Sequence, residues 1–169
     1  MCVMEIVIRP TELKDISGLC ELYSQPQAQA QTLQLPQPSP KLWEKRLSSV
    51  PDNVYSYVAI IDGKVVGNIG FEQVTRPRTQ HVAHFGMGVH DEYSGRGIGN
   101  KLLETVLDLA DNWLNVRRIE IDAFVDNKAA LALYKKHGFV IEGEAIDSAF
   151  RNGRYVNTYF LARINRKMM

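Results

Sequence analysis

Val89-His90-Asp91-Glu92-Tyr93-Ser94-Gly95-Arg96-Gly97-Ile98-Gly99-Asn100 is the stretch that decides the fold. It closes a β-rich run, turns through three alternate glycines, and opens the strongest helical pattern in the chain, residues 97–115. In that helix Ile98, Leu102, Val106, Leu109, Ala110 and Trp113 are expected on one face. Glycines let a backbone approach a ligand closely, and the first amides of a helix lack intrahelical acceptors. With the positive end of the helix dipole they form an anion site, to which Arg96 adds a charge. The same pattern also suits a plain tight connection. No Gly-Lys-Ser/Thr follows at P-loop spacing, and the glycine intervals differ from the dinucleotide fingerprint.

Upstream of the loop the pattern is β-rich. Residues 5–9 read as a strand, 55–61 and 64–74 as a hairpin joined by Asp62-Gly63, and 81–89 as a further strand. A first helix follows Asp15 as N-cap, with Ile16, Leu19, Cys20 and Tyr23 on one face. Residues 25–40 hold four prolines, so a loop with no regular element is expected there. A second helix then starts at Ser39-Pro40 and carries Leu42, Trp43, Arg46 and Leu47.

Downstream, residues 118–124 read as a strand, 127–137 as a short helix, 140–146 as a strand, and 155–164 as a last strand entered through Asn152-Gly153. Hairpins first and strand-helix alternation later imply an α/β chain of mixed (α+β) type. Its expected core is a mostly antiparallel six- to seven-stranded sheet with helices on both faces. The length of 169 residues fits one domain, 1–169.

Lys and Arg number 20 against 19 Asp and Glu, for a net charge of +1, which gives no electrostatic case for nucleic acid or a membrane surface. Cys2 and Cys20 are too few for a disulfide framework or a paired zinc site, so no metal is expected and both read as reduced cytoplasmic thiols. The first ten residues lack the basic and apolar regions of a signal peptide, and no run nears the ~20 apolar residues of a membrane span.

Ser94-Gly95-Arg96-Gly97-Ile98-Gly99 resembles the Gln/Arg-x-x-Gly-x-Gly/Ala signature of the GNAT acetyltransferases, with Ser94 in the Gln/Arg slot. Asp126 to Phe139 resembles that family's Asn-x-x-Ala-x-x-Leu-Tyr-x-x-x-Gly-Phe segment. Ile8-Arg9-Pro10-Thr11 and Glu142-Gly143 look like GNAT ends, so the resemblance covers nearly the whole chain. Within the family, Thr32 to Pro36, Asp111 to Leu114 and Arg151 to Tyr155 are most similar to bacterial L-amino-acid N-acetyltransferases.

The resemblance implies an enzyme that moves an acetyl group from acetyl-CoA to the primary amine of a small molecule, a free L-amino acid first. Polyamine, aminoglycoside and protein N-terminal acceptors, and a non-catalytic acetyl-CoA sensor, are the alternatives. It implies that Met87, Gly88 and Val89 pair by backbone with the pantetheine arm and that Gly95, Arg96, Gly97, Ile98, Gly99 and Asn100 bind the pyrophosphate. Asn127 would hold the arm from the other side and Tyr134 would be the catalytic acid. Where some members carry a catalytic glutamate this chain has Ala83, leaving Glu72, His81, His84 or water as proton acceptor. Trp43, Arg46 and the 25–40 segment would line the acceptor pocket, with Arg46 or Arg154 on a substrate carboxylate. By family analogy the chain pairs as a homodimer through its last strand.

Overall fold

The computed structural model describes residues 3–168, and for Met168 the backbone only; Cys2, one of the two thiols considered above, lies outside them. Seven strands form one sheet in the order β1-β2-β3-β4-β5-β7-β6. They are β1 (Val7–Pro10), β2 (Val54–Ile61), β3 (Lys64–Gln73), β4 (Val82–Val89), β5 (Arg118–Phe124), β6 (Val140–Arg151) and β7 (Arg154–Ile164). The α-helices are α1 (Ile16–Ser24), α2 (Pro26–Ala30), α3 (Pro40–Ser48), α4 (Ile98–Asn112) and α5 (Lys128–Lys136). β1–β2, β2–β3, β5–β7 and β6–β7 pair antiparallel, while β4 runs parallel to β5. The mixed, mostly antiparallel sheet expected from the hairpin-then-crossover order is what the chain forms.

The chain divides into two compact units. The first holds the described residues up to Glu72 and Gly86–Leu107. Its β2–β3 hairpin turns at Asp62 and Gly63, whose φ values of 48° and 77° are those of the tight turn that Asp-Gly favours. Successive β3 residues face opposite ways and serve two helices. Asn68 meets α1, where Tyr23 donates a 2.7 Å hydrogen bond to Asn68 Oδ1. Gly67 meets α4, and a Cβ there would come within 2.7 Å of Ile98 Cγ2 and 2.8 Å of Leu102 Cδ1. Glycine at 67 is thus a packing requirement: it lets α4 seat on the strand and bury Ile98 and Leu102, each worth roughly 1.5–3 kcal/mol.

Three expectations about the helices need correcting. Asp15 stands at the N-cap position of α1, but its side chain makes no capping bond there. Its buried carboxylate instead accepts 2.7 and 2.8 Å bonds from the Arg9 guanidinium and one from the Glu12 amide. The 25–40 segment is not wholly irregular, because Pro26 occupies the first position of α2, where a missing N–H costs nothing, and Asp91 accepts from the amides of Gln27 and Ala28 at 2.9 Å. Ser39 does cap α3, accepting from the Leu42 amide. The third concerns Trp113, which falls beyond the end of α4 and is 76% exposed, so the apolar stripe ends at Ala110.

The second unit holds Gln73–Phe85 and the described residues from Asp108 on. Here β6 runs to Arg151, past the expected end at Ile146, because a register shift between Ala145 and Ala149 absorbs extra residues and lets pairing resume. Asp147, at φ 52°, sits in that irregularity and its amide donates to Asn157 Oδ1. The last strand, β7, lies between β5 and β6 and is hydrogen-bonded on both sides, so it is not available to pair between subunits; the outermost strand is β6.

Two outcomes are expected. Gly67→Ala lowers stability by about 1–3 kcal/mol through overpacking beneath α4, read as a fall in denaturant midpoint. For Asp15, burial pushes the carboxyl up, but the Arg9 guanidinium and the Glu12 amide outweigh it and hold the group below its usual range. A depressed carboxyl contributes stability above its unfolded value of about 3.9, and loses it as pH falls through the folded value. Asp15→Asn therefore destabilises most at neutral pH, and the gap from wild type narrows below about pH 4 in pH-dependent denaturant titrations.

Candidate active site

In the first unit, β4 delivers Met87, Gly88 and Val89, with Gly88 buried and its neighbours half-buried. Gly88 is glycine for a reason invisible in sequence: a Cβ would lie 2.7 Å from Tyr23 Cε1. After the strand, His90 turns inward and is 1% exposed. Its Nδ1 accepts from the Glu92 amide, so its proton sits on Nε2, 3.4 Å from Glu21 Oε1. Glu21 also pairs with Lys64 at 3.0 Å, and these two bonds, Lys64 first, hold its carboxyl below the usual range. Tyr93 packs edge-on against His90, and the Arg96 guanidinium lies 4.9 Å from the Tyr93 ring centre. None of His90, Glu21, Lys64 or Tyr93 was singled out from sequence; a buried polar histidine beside a glycine-rich turn has no periodic signature.

This scaffold holds Gly95 and Gly97 at φ 76° and 82°, conformations that L side chains rarely adopt. Helix α4 begins at Ile98 directly after Gly97, which has no side chain to cap it. The amides of the first helical turn therefore point outward without intrahelical acceptors. A Cβ at Gly95 or Gly97 would meet no protein atom within 4 Å, so neither glycine is there to make room for the protein itself. Arg96 is exposed, bonded to Met4 Sδ at 3.6 Å and to no carboxylate among the described residues. Donor amides, open space and an uncommitted cation fit a diphosphate.

In the second unit, Tyr134 on α5 is 5% exposed, with Phe85 5.5 Å away edge-on and Phe139 at 5.8 Å. Burial in this aromatic nest raises its phenol to about 12, which keeps it protonated at neutral pH. Asn127 caps α5, its Oδ1 accepting from the Ala130 amide at 3.2 Å, so only its Nδ2 remains for a ligand. Ala83 is fully buried. His81, His84 and Glu72 are all exposed, and His84 Nδ1 lies 3.3 Å from Glu120 Oε2. The parallel β4–β5 register runs to His84↔Glu120, while β5 continues to Phe124. Asp122, on the same face as Glu120 and exposed, is a carboxyl that the sequence reading did not single out. Desolvation first and Glu120 second raise it, against the pull of His84.

A sequence profile of the Acetyltransferase (GNAT) family matches residues 17–139. The chain belongs to that family. As a GNAT acetyltransferase it takes its acetyl group from acetyl-CoA and transfers it to an amine. It is 43% identical over 160 residues to the L-amino acid N-acetyltransferase AaaT of Escherichia coli (strain K12), covering 95% of this chain and 98% of that one. Among solved structures it resembles an acetyltransferase of GNAT family from Streptococcus pneumoniae, at 26% identity and TM-score 0.82, over 95% of this chain and 99% of that one. The spermidine N-acetyltransferase of Vibrio cholerae in complex with CoA and spermine shares the fold, with TM-score 0.84 at 22% identity over 94% and 95% of the two chains. No helix among the described residues is long and apolar enough to cross a membrane. Among the described residues no cluster of three or more His, Cys, Asp or Glu could hold a metal ion.

Gly97→Val is expected to weaken coenzyme A binding at least about tenfold, because a branched side chain would fill the space over the helix amides. Isothermal calorimetry reads the affinity, and a thermal melt separates it from the strain of a β-branched residue at positive φ.

Proposed function

We propose that this GNAT enzyme acetylates the α-amine of a free L-amino acid, in the cytoplasm, with residues 1–169 acting as a single acetyltransferase domain. The observation that carries the acceptor class is the 43% identity to an L-amino acid N-acetyltransferase across 95% of the chain. The acceptor-side segment agrees: residues 25–40 contain no Asp or Glu, which suits an anionic acceptor and not a polyamine. The family match from 17 to 139 runs through both compact units, which supports reading them as parts of one functional domain.

Acetyl-CoA supplies an acyl group activated as a thioester. The amides of residues 95–100 and the Arg96 guanidinium bind its diphosphate, and the backbone of Met87, Gly88 and Val89 pairs with its arm, with Asn127 Nδ2 as a further donor. Binding of this kind turns a bimolecular encounter into a positioned attack. The amine nitrogen bonds to the carbonyl carbon as the carbon–sulfur bond breaks. Tyr134 gives its phenolic proton to the departing sulfur, a role suited to a phenol that burial keeps protonated. Of Glu72, His81 and His84, we assign the proton lost by the amine to His84, the one of the three held by a carboxylate.

A thiol-release assay across L-amino acids, polyamines, aminoglycosides and peptides tests the acceptor class; turnover confined to polyamines would refute it. Tyr134→Phe is expected to lower kcat by roughly 10²-fold, within the usual span for general acid catalysis, and to leave acetyl-CoA affinity unchanged. Equal turnover by the two proteins would remove Tyr134 from the chemistry.

A further inference from the structure

Among the described residues, two buried side-chain polar atoms have no hydrogen-bond partner: Trp43 Nε1 and Gln31 Oε1. Both fall in the helical stretch between α1 and β2 of the first unit. Buried donors and acceptors are nearly always paired, so an orphan of each kind in one short segment asks what fills them. The indole cannot turn to find a partner elsewhere. It is 6% exposed and stacks on Tyr23 at 5.4 Å with the planes 12° apart, and Tyr23 is itself locked by its bond to Asn68.

Over the same indole lies Arg46, its guanidinium carbon 4.9 Å from the ring centre. Its Nη1 donates to Gln34 Oε1 at 3.1 Å, a neutral amide. Among the described residues Arg46 forms no ion pair with a carboxylate, and what sets its guanidinium apart is that Gln34 and the Trp43 ring hold it in place. A planar cation fixed by an aromatic face and a side-chain amide, exposed to solvent and lacking its anion, is the arrangement that receives a carboxylate with directed N–H bonds.

We propose that Arg46 and Trp43 Nε1 form the subsite for the α-carboxylate of the acceptor, with Gln34 positioning the guanidinium. This deepens the amino-acid reading and rests on it. The ligand that meets the unfilled donors is an anion with planar oxygens, and a free amino acid also brings N–H donors of the kind Gln31 Oε1 lacks. Discrimination then follows from chemistry: an acceptor whose carboxylate is replaced by a carboxamide leaves the cation without its counter-charge.

The test uses the full chain and L-alanine, L-leucine, L-methionine, L-phenylalanine and L-glutamine, each paired with its α-carboxamide, in steady-state thiol release. Wild type should prefer acids to carboxamides. Arg46→Met should raise KM for the acids by about 100-fold and erase that preference, with Arg46→Lys recovering part of it. Trp43→Phe, which keeps the stack and removes the N–H, should cost the acids about tenfold and the carboxamides little. Acetyl-CoA affinity should stay unchanged in all three, which separates the subsite from a folding defect. Turnover of amino acids with unaltered acid preference in Arg46→Met and Trp43→Phe overturns the subsite and leaves the amino-acid reading standing. A wild type that turns over only amines lacking a carboxylate overturns both.

Discussion

The close seat of α4 on β3 at Gly67 is the contact on which the proposed diphosphate site depends. Without a Cβ at that position, Ile98 and Leu102 reach the sheet and are buried, and the first turn of the helix is fixed. A helix N-terminus binds an anion only if its amides are held in one direction, since the dipole effect falls off within a turn. Packing on one face of the helix therefore sets the electrostatics at its end. The loop that precedes it is fixed separately, by the buried His90 bonded to the Glu92 amide and to Glu21.

Tyr134 shows the same economy in the second unit. Phe85 and Phe139 bury its ring, and the loss of water around the phenol is what keeps its proton in place. One aromatic cluster thus packs α5 and sets the protonation of the phenol proposed as the acid. Asn127 likewise serves the helix first, by capping it, and has only its amide hydrogens left for binding. Residues of this kind are difficult to assign by function alone, because a substitution disturbs structure and chemistry together.

The segment proposed to receive the acceptor is organised around a stacked pair, Tyr23 and Trp43, whose orientation is inherited from a hydrogen bond to β3. Short polar segments such as residues 25–40 gain their shape from neighbours more than from propensity. Asp91, from the loop after β4, accepts from the two amides that start α2, and so ties the 25–40 segment to the loop bearing the glycines. Such a bond couples the positions of two segments within one compact unit.

Period and punctuation in the sequence determined most of the architecture: the Asp62-Gly63 and Asn152-Gly153 turns, the Ser39-Pro40 start of α3, the strand at 118–124, and the glycine-rich opening of α4 were all legible, because turn and cap chemistry is local. The family signature was legible for the same reason, since an anion site at a helix end needs particular residues at fixed spacing. What only the tertiary structure decided was where side chains with several options spent them. Asp15 went to Arg9 and not to the helix it precedes, Gly88 proved to be making way for Tyr23, β7 was enclosed by two partners, and Asp122 came to lie near Glu120 and His84. Those outcomes depend on contacts between residues far apart in the chain, and a hydrogen bond or a buried charge has no period by which sequence could announce it.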